Sequence, residues 1–135
     1  MDRRSFMALT AAVSLTPALG NAREAYKVGL IKEYLAAGET VFIDFTTEWC
    51  TTCAAQKRTL DALRQSNPEY DKNIKFVSVD FDQHGRSGIG KELKIPRRST
   101  LVVLKGDQEL GRIVAGTARK QLQGLLDTAL TAAVA

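Results

Sequence analysis

Cys50-Thr51-Thr52-Cys53 places the chain's only two cysteines three residues apart. On the first turn of a helix that spacing puts both sulfurs on one face, within reach of a disulfide. The N-terminus of a helix offers unpaired N–H groups and the positive end of the dipole, and both favour a thiolate. A lowered thiol pKa supplies more of the nucleophile at neutral pH. The expected chemistry is therefore thiol–disulfide exchange. Cys50, leading and exposed, would attack a disulfide, and Cys53, one turn in and more buried, would resolve the mixed disulfide. Thr51 and Thr52 would tune the pair without carrying the reaction.

Other uses of two cysteines compete with this one. A structural disulfide usually joins distant segments, because closing a short loop stabilises little. Two cysteines and one histidine are too few for a four-ligand zinc site, so a metal would need ligands from a second chain. Covalent haem attachment needs a histidine directly after the second cysteine, and Ala54 stands there. Neither a metal nor an organic cofactor is expected, since the sulfurs themselves can carry both electrons.

These thiols need a scaffold, and the rest of the chain reads as one. With 44% hydrophobic and 25% charged residues in 135, the composition is that of one folded domain, which excludes a disordered or collagen-like chain. A net charge of +4, with basic residues scattered, gives no support to nucleic-acid binding. Val41-Phe42-Ile43-Asp44-Phe45 is a nearly continuous apolar run, as in a strand buried on both faces. An amphipathic helix is predicted over residues 24–37 and another over 50–66, ending before Pro68. Residues 74–81 read as a second strand, residues 89–93 as a short helical piece. Residues 101–104 and 109–114 read as a hairpin. A last helix capped by Thr117 would line Leu122, Leu125, Leu126 and Leu130 on one face. This order predicts an α/β fold: a central mixed β-sheet flanked by helices on both faces.

Residues 1–22 read differently. Arg3 and Arg4 precede an apolar run from Phe6 to Leu15, and small residues lead to Ala22. That is the pattern of a cleavable export signal. The run is about half of the ~20 residues that span a bilayer, so it does not read as a permanent anchor. Arg3-Arg4-Ser5-Phe6-Met7 also fits the twin-arginine pattern, which would imply export in the folded state. Cleavage after Ala22 or after Gly20 would leave a domain of about residues 23–135, expected in the periplasm.

The stretch from Val41 to Cys53, with its strand ending in Asp-Phe, a short turn and Trp49-Cys50-x-x-Cys53, resembles the active-site strand and turn of the thioredoxin family. The missing Gly-Pro between the cysteines and the export signal make it similar to periplasmic thioredoxin-like proteins, such as the C-terminal domain of thiol:disulfide interchange proteins. The resemblance implies a thioredoxin fold over nearly all of residues 23–135. It implies a protein-disulfide oxidoreductase, read here as a monomeric reductase of protein disulfides re-reduced by a membrane electron donor. An oxidase or isomerase is the rival within the class. A thioredoxin-fold chaperone or a cluster-carrying module is the rival outside it.

The resemblance also assigns supporting residues. Asp44 matches the family's buried aspartate, placed to exchange a proton with Cys53, and Trp49 matches the tryptophan that packs beside the motif. The lysine that often accompanies the aspartate has Lys75 as its nearest counterpart. Where the family has a cis-proline before the threonine of the facing strand, this chain has Ser99 before Thr100. Either the Arg98–Ser99 bond is cis, at a cost of about 2.5–4 kcal/mol, or it is trans and the groove differs, or Pro96 is the cis residue. Ser99, Thr100 and Arg98 are then the expected substrate groove, with Arg97 and Arg98 on the rim beside Cys50. His84 reads as a surface residue.

Overall fold

A computed structural model describes residues 23–135. The export signal read in residues 1–22 lies outside the described residues. In chain order the elements are β1 (Glu24–Ala25), α1 (Leu30–Ala36), β2 (Thr40–Thr46), α2 (Thr51–Ser66) and α3 (Pro68–Asn73). They continue with β3 (Ile74–Asp80), α4 (Phe81–His84), α5 (Gly88–Glu92), β4 (Thr100–Lys105), β5 (Gln108–Val114) and α6 (Arg119–Val134). The strands form one mixed sheet in the order β1-β3-β2-β4-β5. β1 and β2 run parallel to β3, and β4 is antiparallel to both β2 and β5.

The central strand decides what lies where. Side chains alternate along a strand, so Val41, Ile43 and Phe45 of β2 face one side of the sheet while Phe42 and Asp44 face the other. The first three join Leu30, Ile31 and Phe81 in a core beneath α1, α4 and α5. Phe42 joins Leu60, Leu63, Leu122 and Leu126 beneath α2 and α6. Asp44 therefore points to the same side as the helix that follows the cysteines.

The main departure from the sequence reading is at the start. The apolar spacing in residues 24–37 predicts one helix, but Glu24 and Ala25 form a short edge strand beside Val77 and Ser78. The helix begins only at Leu30, after Gly29 takes a left-handed φ of 91°. Val28, predicted on the apolar face, is 85% exposed. At the other end Ala118, not Thr117, occupies the N-cap of α6, without a side-chain cap. α3 is an additional short helix, started by Asn67, whose Oδ1 accepts from Glu69 N, and by Pro68 in the first turn. His84 lies half-buried at the surface, its ring meeting Tyr26 edge-on at 5.0 Å.

Candidate active site

β2 ends at Thr46, and the short turn that follows delivers Cys50 to the N-cap of α2. Cys50 has extended backbone angles there, and its Sγ accepts the Cys53 N–H at 3.1 Å. A sulfur thus takes the capping place usually filled by a side-chain oxygen, with the helix dipole behind it. Both cysteines are free thiols. Cys50 is not the exposed group expected from its position, because each cysteine is only 5% exposed.

The lid over the sulfurs is Ser99. Its Oγ lies 3.2 Å from Cys50 Sγ and 3.1 Å from Cys53 Sγ. The described residues contain no cis peptide bond, so Arg98–Ser99 is trans and so is the bond before Pro96. Ser99 instead adopts φ 65°, a left-handed conformation that costs an L-residue about 1–2 kcal/mol. Three bonds hold it there. Ser99 N–H donates to Phe45 O at 2.8 Å, and Ser99 O accepts Ala115 N–H at 2.8 Å and Gln56 Nε2 at 3.0 Å. Gln56 also donates to Gly116 O at 2.9 Å, so one buried amide on α2 ties two loops to the cysteine helix. Ser99 and Thr100 are wholly buried, with Thr100 Oγ1 donating to Arg97 O.

Burial alone would push the Cys50 thiol up. The Cys53 side chain, the Ser99 hydroxyl, the Cys53 backbone N–H and Arg98 outweigh it and bring the pKa down to about 7. About half the sites then carry a thiolate at neutral pH. Ser99→Ala removes one of these groups. The Cys50 titration, followed by ultraviolet thiolate absorbance, should move toward the ordinary thiol range, and alkylation near pH 6 should slow about three- to tenfold. An unmoved titration would show that the hydroxyl does not stabilise the thiolate.

Two flanks border the pair. On one, Trp49 is 60% exposed and its Nε1 donates to Asp82 Oδ2 at 3.1 Å. The Arg98 guanidinium stacks 4.1 Å from the Trp49 ring centre, a cation–π contact that fixes both groups beside Cys50. Thr51 is exposed and Thr52 partly buried. On the other flank a cleft of about 590 Å³ runs from Cys50 and Cys53 to Asp44, past Arg23, Lys57 and Asp80. Burial raises the Asp44 carboxyl above the ordinary range, while Arg23 and Lys57 pull it back and Asp61 pushes it further up. Lys75, the sequence-level counterpart of the family lysine, lies elsewhere, with its Nζ 5.4 Å from the Tyr34 ring centre. Among the described residues the cation paired with Asp44 is Arg23, its Nε 3.4 Å from Asp44 Oδ2.

The comparisons with known proteins agree with this geometry. The family model described as Thioredoxin matches residues 22–128. The chain belongs to the thioredoxin family. Members of the thioredoxin family with a Cys-x-x-Cys pair are thiol–disulfide oxidoreductases, and Cys50 and Cys53 occupy that place. A Thioredoxin H-type from Fagopyrum esculentum is 32% identical over 78 residues, 58% of this chain and 62% of the relative's length. Mitochondrial Thioredoxin-3 of Saccharomyces cerevisiae is 26% identical over 96 residues, 71% of each chain. Among solved structures, Trxlp from Edwardsiella tarda EIB202 is 25% identical with a TM-score of 0.68, covering 78% of this chain and 98% of that one. The thioredoxin of Malassezia sympodialis, 24% identical with a TM-score of 0.67, shares the fold over 79% of this chain and 92% of its own.

Sequence reasoning missed Gln56, Arg23, Lys57 and Asp82. Gln56 carried a usable signal: three residues after Cys53, it is a polar side chain on the helix face that points inward. The others are long-range partners with no local signature.

Proposed function

We propose that this chain is an exported, periplasmic reductase of protein disulfides that works as a monomer and is re-reduced by a membrane electron donor. The observation that carries the direction is the Cys50 pKa of about 7. A strongly oxidising couple is one whose reduced form is stabilised by a very acidic thiol, and a thiol near neutrality gives the dithiol form little of that advantage. One chain holds the complete pair and its acid–base partner, which supports action as a monomer. Support for export comes from the sequence of residues 1–22 and from the family match, which begins at residue 22.

The reaction balances within the dithiol. The Cys50 thiolate attacks one sulfur of the substrate disulfide, a Cys50–substrate bond forms, and the first substrate thiolate leaves. Asp44 takes the Cys53 proton through the cleft. The Cys53 thiolate then attacks Cys50 Sγ, the mixed disulfide breaks, and the second substrate thiol departs with a proton. Two electrons leave the cysteines and reduce the substrate. Trp49 and Arg98 form the rim that meets the substrate, and the half-buried guanidinium favours acidic residues beside its disulfide.

The test is the reduction potential measured against glutathione, with insulin-disulfide reduction as the activity assay. A potential clearly below the glutathione couple and rapid insulin reduction are expected. A value at or above that couple would assign the oxidase or isomerase direction instead.

A further inference from the structure

Arg23 belongs to no motif, yet it is the residue most deeply committed to Asp44. Its side chain is 9% exposed, with Nε 3.4 Å from Asp44 Oδ2 and Nη1 3.0 Å from Asp61 Oδ1. Its Nη2 is buried without a hydrogen-bond partner. A guanidinium sunk between two carboxylates from different elements is costly to place unless both pairings hold it.

The sheet explains why the cation comes from here. Asp44 is flanked in register by Ser78 on β3 and Leu101 on β4, so neither neighbouring strand brings a charge to it. From α2 it faces Cys53, Lys57 and Asp61, and along the cleft Glu48 and Asp80. Lys57 is exposed and already bound to Asp61 at 3.0 Å. Among the described residues, only Arg23 reaches Asp44 within ion-pair distance, and β1 carries it there.

We infer that Arg23 is a positioning residue for the exchange reaction: carried in by edge strand β1, its guanidinium holds Asp44 as a carboxylate facing Cys53. This rests on the reading of Asp44 as the acceptor of the Cys53 proton. Arg23 touches neither substrate nor sulfur and acts through Asp44. The two-residue strand at the sheet edge thereby becomes part of the catalytic apparatus.

The test uses the full chain and follows resolution of a preformed Cys50 mixed disulfide against pH. Arg23→Gln and Arg23→Met should slow resolution about tenfold or more near pH 6, and the loss should shrink as the pH is raised and Asp44 gives up its proton without help. Arg23→Lys, which keeps the charge, should restore most of the rate near pH 6. An equal loss at every pH, or a lysine variant no better than glutamine, would reduce Arg23 to a structural tie and overturn the inference. Asp44→Asn separates the two ideas. If it abolishes the pH dependence while the Arg23 variants leave it in place, the inference fails and the role of Asp44 stands. If Asp44→Asn leaves the pH dependence unchanged, the role of Asp44 fails and the inference falls with it.

Discussion

Cys53→Ser is expected to stop the reaction halfway. Cys50 keeps its place at the helix N-cap in this variant, along with the Ser99 hydroxyl, the residue-53 backbone N–H and Arg98. Attack on a substrate disulfide should therefore proceed, and the mixed disulfide should accumulate to about one per chain. Turnover of insulin disulfides should fall at least ~10³-fold, because the sulfur that breaks the intermediate is gone. Mass spectrometry of the trapped adduct measures the outcome and names the partner. Cys50→Ser should trap nothing. An adduct on Cys53 in that variant would reverse the two roles. The difference follows from the fold: both sulfurs are covered by Ser99, but only Cys50 also stands beside the rim of exposed Trp49 and half-buried Arg98.

Asp44→Asn should slow the second half of the reaction while making the protein more stable. Loss of a positioned general base typically costs 10²-fold or more, so resolution of the mixed disulfide near neutral pH should fall about 10²-fold with the first attack little changed. Stability should move the other way. Burial raises the Asp44 carboxyl above its unfolded value, so the folded state holds that proton more tightly than the unfolded chain. Stability associated with Asp44 is then fully present below the ordinary aspartate range and is lost as pH rises through the folded value. Asparagine removes this dependence. Its gain in Tm should appear at neutral and alkaline pH, worth roughly 4–8 °C for each kcal/mol, and vanish in acid. A variant less stable than the parent at neutral pH would show that the pairing with Arg23 outweighs the cost of burying the carboxylate.

What could be read from the sequence was whatever is written locally. The β2 strand, the cysteine helix and the hairpin each carry their own periodicity and punctuation. β2 begins with Thr40 and α2 ends at Ser66 before Pro68, close to where the pattern places them. The family resemblance lies in the same short stretch, from Val41 to Cys53. The edge strand β1 was illegible because two residues, both exposed, have no periodicity to show. Apolar residues at Val28, Ile31 and Leu35 imitate a longer helix, although Val28 ends in solvent. The site divides the same way. Cys50, Cys53 and Asp44 follow from the motif. The partner of Asp44 does not, because Arg23 reaches it only through pairing between strands far apart in sequence. The left-handed conformation at Ser99 is held by bonds to Phe45, Gln56 and Ala115, none of them a neighbour.

The way residue 99 is bonded bears on what this protein can recognise. Its N–H is taken by Phe45, its carbonyl by Ala115 and Gln56, and the Arg98 carbonyl by the Arg97 side chain. An arriving polypeptide finds no unclaimed N–H at residue 99 with which to line up as an added strand. The proposed rim, a stacked ring and guanidinium, offers charge and shape in place of pairing with residue 99, so selection among clients would turn more on surface chemistry than on the backbone at that position.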